Sequence, residues 1–548
     1  MIVGCPVFLF QAHELFLCMY RWHSRCPIKA VHRLECAHRL ALGLHETSKS
    51  HDFAVGLTVL SWFTISLLLG ADLFRVDIPD HPEAISTSEF GSTLMYPPTD
   101  GSPWREEPIP ATDAWEAELA IQNMGVEPWH QEGFDGSGVR IAIFDIQWFG
   151  VELNPQLQDL PTHDCFGHRS CEQPINTIDP QFAFETGAHG IACAEVVRSL
   201  APGAEIHLVR VNGLTALENA VAWAVREEID IVSMSMSFFN ESFYDGTGSI
   251  NQQMDTLVAG GVLMVTSAGN YARQHYAADF QDRDQDGRHE FPWDSEYLPI
   301  DLPKGETRIN LIWDDYGRCG STDLDGYIYD SELRLVGRST RAQNPDSNNC
   351  HPTESITARV SDEGWHYLLI HKDSGRPNVR FDVLTRAGTI FNAQAKGSVT
   401  DPGSHPHVLT VGAVEVDGYR FNDVEGFSSQ GPTNGGDLKP DIAGPDGLTT
   451  SVYGPGRFYG TSAATPAVAA SIALLMDQNP DLNPFEAANV LRASAITDGP
   501  LWMADDPAVG AGKAHLAQPG KVQNGCHSGL PLLAMLYWLP FGAIRRRK

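Results

Sequence analysis

Residues 460–466 read Gly-Thr-Ser-Ala-Ala-Thr-Pro and run into an Ala-rich stretch. Two chemistries are open to Ser462 in such a place. Its hydroxyl can cap the N-terminus of the following helix, the common use of Ser there. Alternatively it can attack a carbonyl, which requires a base within hydrogen-bond reach, because a neutral hydroxyl is a weak nucleophile. A second group is Asp282, Asp284 and Asp286, which alternate ahead of Gly287 in DRDQDGRHE. That spacing matches the first half of a calcium loop. The twelfth position holds Trp293 instead of the bidentate Glu, so the alternative to a calcium ion is a solvated acidic turn. No other cofactor is expected.

The ten cysteines fall into groups. Cys5, Cys18, Cys26 and Cys36 match no metal motif. Cys165 and Cys171 sit close together in the loop-like HDCFGHRSCEQ, and Cys319 and Cys350 flank a segment rich in Asp, Ser and Asn. Two local disulfides in an oxidising compartment are the expectation. Cys193 lies in an apolar helical run, and Cys526 precedes the C-terminal tail.

The elements that must position such groups are legible by period. VRIAIFD, ending at Asp145, reads as a buried strand running into an acid, and GAHGIACAEVV at 187–197 reads as a helix. AEIHLVRV is a strand, and ALENAVAWAVREE a helix with Leu217, Val221, Ala224 and Val225 on one face. DIVSMSMSF, INQQMDTLVAGG and VLMVTSAGN continue as strand, helix and strand. Strands alternating with helices imply a parallel sheet covered on both faces. Over 276–396 the period changes to two, with Ile309, Leu311 and Trp313 and later Val379, Phe381 and Val383, separated by Gly, Asp and Asn turns. That is an inserted all-β unit of sandwich type. PHVLTVGAVEV then resumes the buried-strand pattern, followed by two more helices.

The chain has 548 residues, enough for two or three domains. With 38 basic and 69 acidic residues its net charge is −31. Such an acidic excess repels phosphates and argues against nucleic acid as a partner. Phe53 to Ala71 is nineteen uncharged residues, read as a secretory h-region or an uncleaved anchor within an N-terminal extension, 1–71. Residues 72–110, with seven prolines and many acids, form a linker. Leu530 to Ile544 is apolar and is followed by the purely basic 545–548. This end, 521–548, resembles the C-terminal sorting signals of Gram-negative bacterial surface proteins. That likeness implies a cell-envelope or secreted location and a sorting protease as partner, with an ordinary tail anchor as the alternative; membrane contact is expected through the apolar 53–71 and 530–544.

Several motifs together resemble the subtilisin-like serine proteases. GTSAATP is similar to the family's nucleophile motif, GAHGIACAEVV to its His-Gly helix, VRIAIFD to the strand ending in its aspartate, and VTSAGN to the stretch ending in its oxyanion Asn. The order Asp, His, Ser along the chain is also that of subtilisins. FSSQGPTNGGDLKPDIAGP and GAGKAHL match further segments. The resemblance covers about 115–275 and 400–520. It implies an α/β fold, a subtilisin-like parallel sheet flanked by helices, with catalytic-domain parts at 111–275 and 397–520 around the inserted 276–396.

The resemblance also implies a serine endopeptidase acting on protein or peptide substrates through an acyl-enzyme. His189 would take the proton of Ser462, and Asp145 would hold the opposite imidazole N–H and stabilise the imidazolium. The Asn270 amide and the Ser462 backbone N–H would donate to the oxyanion. Ser235 falls on the family's substrate-lining strand, with Ser237 where a glycine is usual. Departures are Ile146 and Gln147 after Asp145, Ile191 after the His-Gly pair, and Ala463 and Ala467 in the nucleophile segment. The turn after Asp145 must therefore be built differently, and the short linker leaves no room for the usual folded prodomain. The rival reading is a catalytically weak or inactive binding protein that kept the fold, with the β insert as its working surface.

Overall fold

The computed structural model describes residues 118–520, apart from 167–169, 177–186, 317–320, 344–350 and 498–505. The N-terminal extension, the linker, the C-terminal tail and the Cys319–Cys350 pairing lie outside the described residues. No helix among the described residues is long and apolar enough to cross a membrane.

In chain order, two short helices come first, α1 (Glu118–Asn123) and α2 (Glu127–Gln131). Next come β1 (Arg140–Asp145), β2 (Thr162–Asp164), α3 (His189–Leu200), β3 (Glu205–Arg210), α4 (Leu214–Arg226), β4 (Ile231–Met234), α5 (Gly248–Ala259) and β5 (Leu263–Ser267). An antiparallel run follows: β6 (His275–Asp279), β7 (Tyr297–Leu302), β8 (Gly305–Trp313), β9 (Asp323–Tyr329), β10 (Leu335–Ser339), β11 (Thr353–Val360), β12 (Gly364–Ser374), β13 (Arg380–Thr385) and β14 (Thr389–Ile390). The chain then continues through β15 (Leu409–Glu415), β16 (Ile442–Asp446), the β17 (Leu448–Thr450) and β18 (Gly454–Phe458) hairpin, α6 (Thr461–Gln478) and α7 (Pro484–Ala493).

Seven parallel strands form the main sheet in the order β16-β15-β5-β4-β1-β3-β2. Its strands are apolar on both faces because helices cover both. In β1 the alternation sorts the side chains: Ile141 and Ile143 join the core under α3, α6 and α7, whereas Ala142 and Phe144 join the core under α4 and α5. Helix α6 is buried along its whole length from Thr461 to Met476, which explains why its sequence carries no polar face. Helix α7 starts with a capping box, Asn483 accepting from the Glu486 backbone while the Glu486 side chain accepts from the Asn483 backbone.

Between β5 and β15 lie two antiparallel sheets, β10-β9-β12-β7-β14 and β11-β8-β13-β6, which share one core including Trp313, Phe381 and Leu368. The first and the penultimate strands of this run are neighbours, since β6 pairs with β13. Its entry and exit are therefore adjacent, so the host sheet accommodates the excursion without strain on its own connection. The excursion is also docked on the host: Leu384 packs with Phe239 and Tyr271, and Ile312 packs with Phe243 and Tyr244. Buried polar contacts join the same faces, with Asn434 donating to both the Asp382 carboxylate and the Phe243 carbonyl.

Two features differ from the sequence expectation. The strand expected across DIVSMSMSF ends at Met234. Beyond it the Ser235 hydroxyl turns to the start of α6, and Phe238 makes an isolated bridge to Asp401. Ser462 is also not the cap of α6. That position is Gly460, whose φ of 103° suits glycine, and Ser462 is the second helical residue.

Candidate active site

Asp145 closes β1 at its C-terminal end and is fully buried. The turn after it is built by its own side chain, because Asp145 Oδ1 accepts from the Gln147 N–H at 2.9 Å. Trp148 Nε1 donates to the Asp145 carbonyl at 3.0 Å, and the Gln147 carbonyl accepts from the Gly190 N–H at 2.9 Å. This local Asx-type turn substitutes for the small residues usual at 146 and 147. Gly190 has to be glycine here: a Cβ would lie 2.8 Å from the Asp145 Cβ and 2.9 Å from the Trp148 ring.

His189 is the first residue of α3, and its Nδ1 stands 2.7 Å from Asp145 Oδ2. Phe458 meets its ring edge-on with centroids 5.6 Å apart. Burial alone disfavours the imidazolium. The Cys193 sulfur and the Asp145 carboxylate favour it and prevail, so the His189 pKa is raised to about 10 from an ordinary 6.5.

Ser462 is 2% exposed at the N-terminal turn of α6. Pro466 stands four residues on and has no N–H, so the Ser462 carbonyl lacks its intrahelical donor. Ser235 Oγ supplies the missing bond at 3.0 Å. Cys193 Sγ lies 3.8 Å from the same carbonyl and 3.8 Å from His189 Nδ1, so one small buried thiol touches both segments. Asn270 follows β5, and its Oδ1 accepts from both the backbone N–H and the hydroxyl of Thr461 at 3.0 Å. With Oδ1 so held, the amide's N–H2 end is the donor directed elsewhere. The preceding Gly269, at φ 97°, would set a Cβ 2.6 Å from the Tyr271 ring.

Asp145, His189, Ser462, Asn270 and Ser235 are thus gathered at the C-terminal ends of β1, β4 and β5 and the N-termini of α3 and α6. Asp282, Asp284 and Asp286 meet one another in the turn after β6, their ligand atoms all within 4.8 Å, as part of the antiparallel excursion. Cys165 and Cys171 are disulfide-bonded, and Cys193 is a free, buried thiol. Sequence reasoning missed the parts played by Pro466 and Cys193. Both carried a signal: Pro466 lies inside the nucleophile motif, and Cys193 is one helical turn from His189, on the same face.

A profile described as the Subtilase family matches residues 138–290 and 378–524, together more than half of the chain. The chain belongs to the subtilase family. The unmatched stretch, 291–377, holds most of the antiparallel excursion of this subtilase. It is 34% identical to the serine protease AprX of Bacillus subtilis (strain 168) over 32% of its own length and 45% of that protein's. It is 22% identical to the minor extracellular protease Vpr of the same organism, over 76% of its own length and 54% of the relative's. It thus spans about half the length of these curated relatives. Among solved structures it is similar to the Clostridium perfringens CspB protease, with a TM-score of 0.50, 13% identity, and coverage of 72% of this chain and 97% of that one. At that identity the likeness carries the fold alone.

Proposed function

We propose that this subtilase is a serine endopeptidase that hydrolyses peptide bonds through an acyl-enzyme. Ser462 is the nucleophile, His189 the general base and then acid, and Asp145 the group that fixes the imidazole tautomer and stabilises the imidazolium. The observation that carries this reading is the buried 2.7 Å contact between His189 Nδ1 and Asp145 Oδ2 beside the N-terminal turn of α6. It commits Nδ1 to Asp145 and leaves Nε2 as the basic atom. As the scissile carbonyl becomes tetrahedral, the Asn270 amide and the Ser462 backbone N–H donate to its oxygen, aided by the positive end of α6. Removal of one such donor typically costs about 3–4 kcal/mol of barrier.

Family membership and the self-built turn after Asp145 support this reading over an inactive binding protein. The substrate is a protein or peptide. The extracellular relative and the Cys165–Cys171 disulfide support export from the cytoplasm. A structural calcium at Asp282, Asp284 and Asp286 belongs to the same proposal. A fluorophosphonate probe is the test. The mature wild-type protein forms a stable adduct, and Ser462→Ala does not. A folded wild-type protein that fails to react under conditions where a known serine protease reacts overturns the proposal.

A further inference from the structure

Strand β2 lies at the outer edge of the main sheet, is three residues long, and pairs with β3. His163 of β2 and His207 of β3 share one face, with His163 Nε2 3.1 Å from His207 Nδ1. Trp223 of α4 packs against both rings, with centroids 4.3 Å and 5.6 Å away. The outer nitrogen of each ring is committed. His163 Nδ1 faces the Cys171 carbonyl at 3.1 Å, and a carbonyl oxygen only accepts, so this nitrogen carries a hydrogen. His207 Nε2 faces the Glu205 carboxylate at 3.1 Å and carries a hydrogen for the same reason.

A neutral imidazole has one ring hydrogen. Both hydrogens are thus directed outward, and the inner nitrogens meet as two lone pairs. Facing lone pairs repel unless a positive centre joins them, either an extra proton or a metal ion. Burial is the main cause that holds the His163 ring below the ordinary 6.5 of a histidine. His207 and Arg226 act in the same direction, and the Cys171 carbonyl and the Glu227 carboxylate oppose it. The outer contacts are those of a metal site. Ligating histidines donate their second N–H to a carbonyl or a carboxylate, which fixes the tautomer and makes the ligating nitrogen more basic. His163 and His207 show one of each. With metal–nitrogen bonds of about 2.0–2.1 Å, nitrogens 3.1 Å apart subtend about 100° at the ion, which fits tetrahedral or octahedral coordination.

We infer that His163 Nε2 and His207 Nδ1 ligate a divalent transition-metal ion, zinc foremost, at the outer edge of the main sheet. Imidazole suits zinc, copper and nickel, whereas calcium and magnesium take oxygen ligands. Both histidines are partly exposed, so water completes the coordination from the solvent side. The ion ties β2 to β3 just ahead of the Cys165–Cys171 disulfide, where the edge strand has only three residues to hold it. An ion bound by the folded chain alone stabilises that chain by mass action. His207 pairs with Ala142 of β1, three residues before Asp145, yet occupancy of the site does not depend on whether Ser462 is a nucleophile.

The test uses the full chain carrying Ser462→Ala, which removes the proposed nucleophile, stripped with a chelator. Equilibrium dialysis with zinc counts bound ions, and thermal unfolding is followed with and without zinc. His163→Gln and His207→Gln are each expected to lose one zinc equivalent and to shrink the zinc-dependent rise in Tm. The double variant is expected to lose no more than either single one, because both remove the same ion. Zinc taken up by Asp145, His189 and Cys193, whose ligand atoms also lie within 4.8 Å of one another, is counted equally in parent and variants. Glu205→Gln, at an exposed position, keeps an acceptor for His207 but not the charge. It is expected to retain the equivalent with a Kd about 10–100-fold weaker, which a merely structural role would not change. If both histidine variants bind as much zinc as their parent and respond equally in Tm, or if the parent binds none, the inference is wrong and a shared proton joins the rings.

Discussion

His189 shows how three buried groups set one proton affinity. Burial opposes the charged ring; the Cys193 sulfur and the Asp145 carboxylate support it and win. The neutral ring that the proposed mechanism requires as base is therefore favoured only at alkaline pH, above the ordinary 6.5 of a histidine. We expect kcat/KM to rise with pH along a limb that lies above that value. Asp145→Asn removes a stabilising charge, so the limb should move down in pH while the rate falls by roughly 10⁴-fold, as loss of the orienting carboxylate does in serine proteases with an Asp-His-Ser triad. An unmoved limb in Asp145→Asn would show that His189 is not the titrating base. The same shift bears on stability with a definite sign. The folded pKa exceeds the unfolded one, so the stabilising contribution is complete below the unfolded value and is lost as pH rises through the folded value. In the Ser462→Ala background, Tm should decline over that alkaline window more steeply than in the Asp145→Asn double variant.

At the scale of the element, α6 carries a built-in defect with a use. Pro466 withholds the N–H that would bind the Ser462 carbonyl, and Ser235 from the end of β4 replaces it. A helix and a strand end are thereby tied together at Ser462, the proposed nucleophile. Leaving a buried acceptor unsatisfied costs about 1–3 kcal/mol, so Ser235→Ala should lower stability by about that amount in denaturant unfolding, again on Ser462→Ala. Pro466→Ala restores an intrahelical donor, and Ser235→Ala should then cost less. A double-mutant cycle measures the difference, and strict additivity would refute the link between the two residues. Buried lysines brace the neighbouring segments in a comparable way. Lys439 Nζ donates to the Val408 carbonyl and to Asp441, and Lys513 Nζ donates to the Arg420 and Asn422 carbonyls.

Across the whole molecule, the antiparallel excursion is held to its host by both apolar and polar contacts. Leu384 and Ile312 enter small shared clusters, Asn240 donates to Asn310, and Asn434 bridges Asp382 and Phe243. A loosely tethered domain would melt on its own, whereas one sharing buried contacts with its host unfolds with it. Calorimetry of the Ser462→Ala chain should therefore give a single transition for the described region. Separable peaks, one of them moved selectively by Asp382→Ala, would mean that the two parts are energetically independent.

Much of this organisation is legible in the amino-acid order. Local periodicity distinguishes the helix-flanked parallel strands from the antiparallel run, because each side chain's burial follows directly from the period of its own element. The motifs around Asp145, His189, Asn270 and Ser462 are likewise short and contiguous, so they can be read without knowing what they touch. What they touch is decided only in three dimensions. That Gly460 and not Ser462 caps α6, that Ser235 serves the carbonyl orphaned by Pro466, and that Cys193 lies against both His189 and Ser462 all depend on how helices meet strand ends. Glu415, Glu425 and Asp446 look like unrelated acids along the chain. They become a cluster because parallel register and a returning loop bring them to one point, and no local pattern encodes a contact between distant segments.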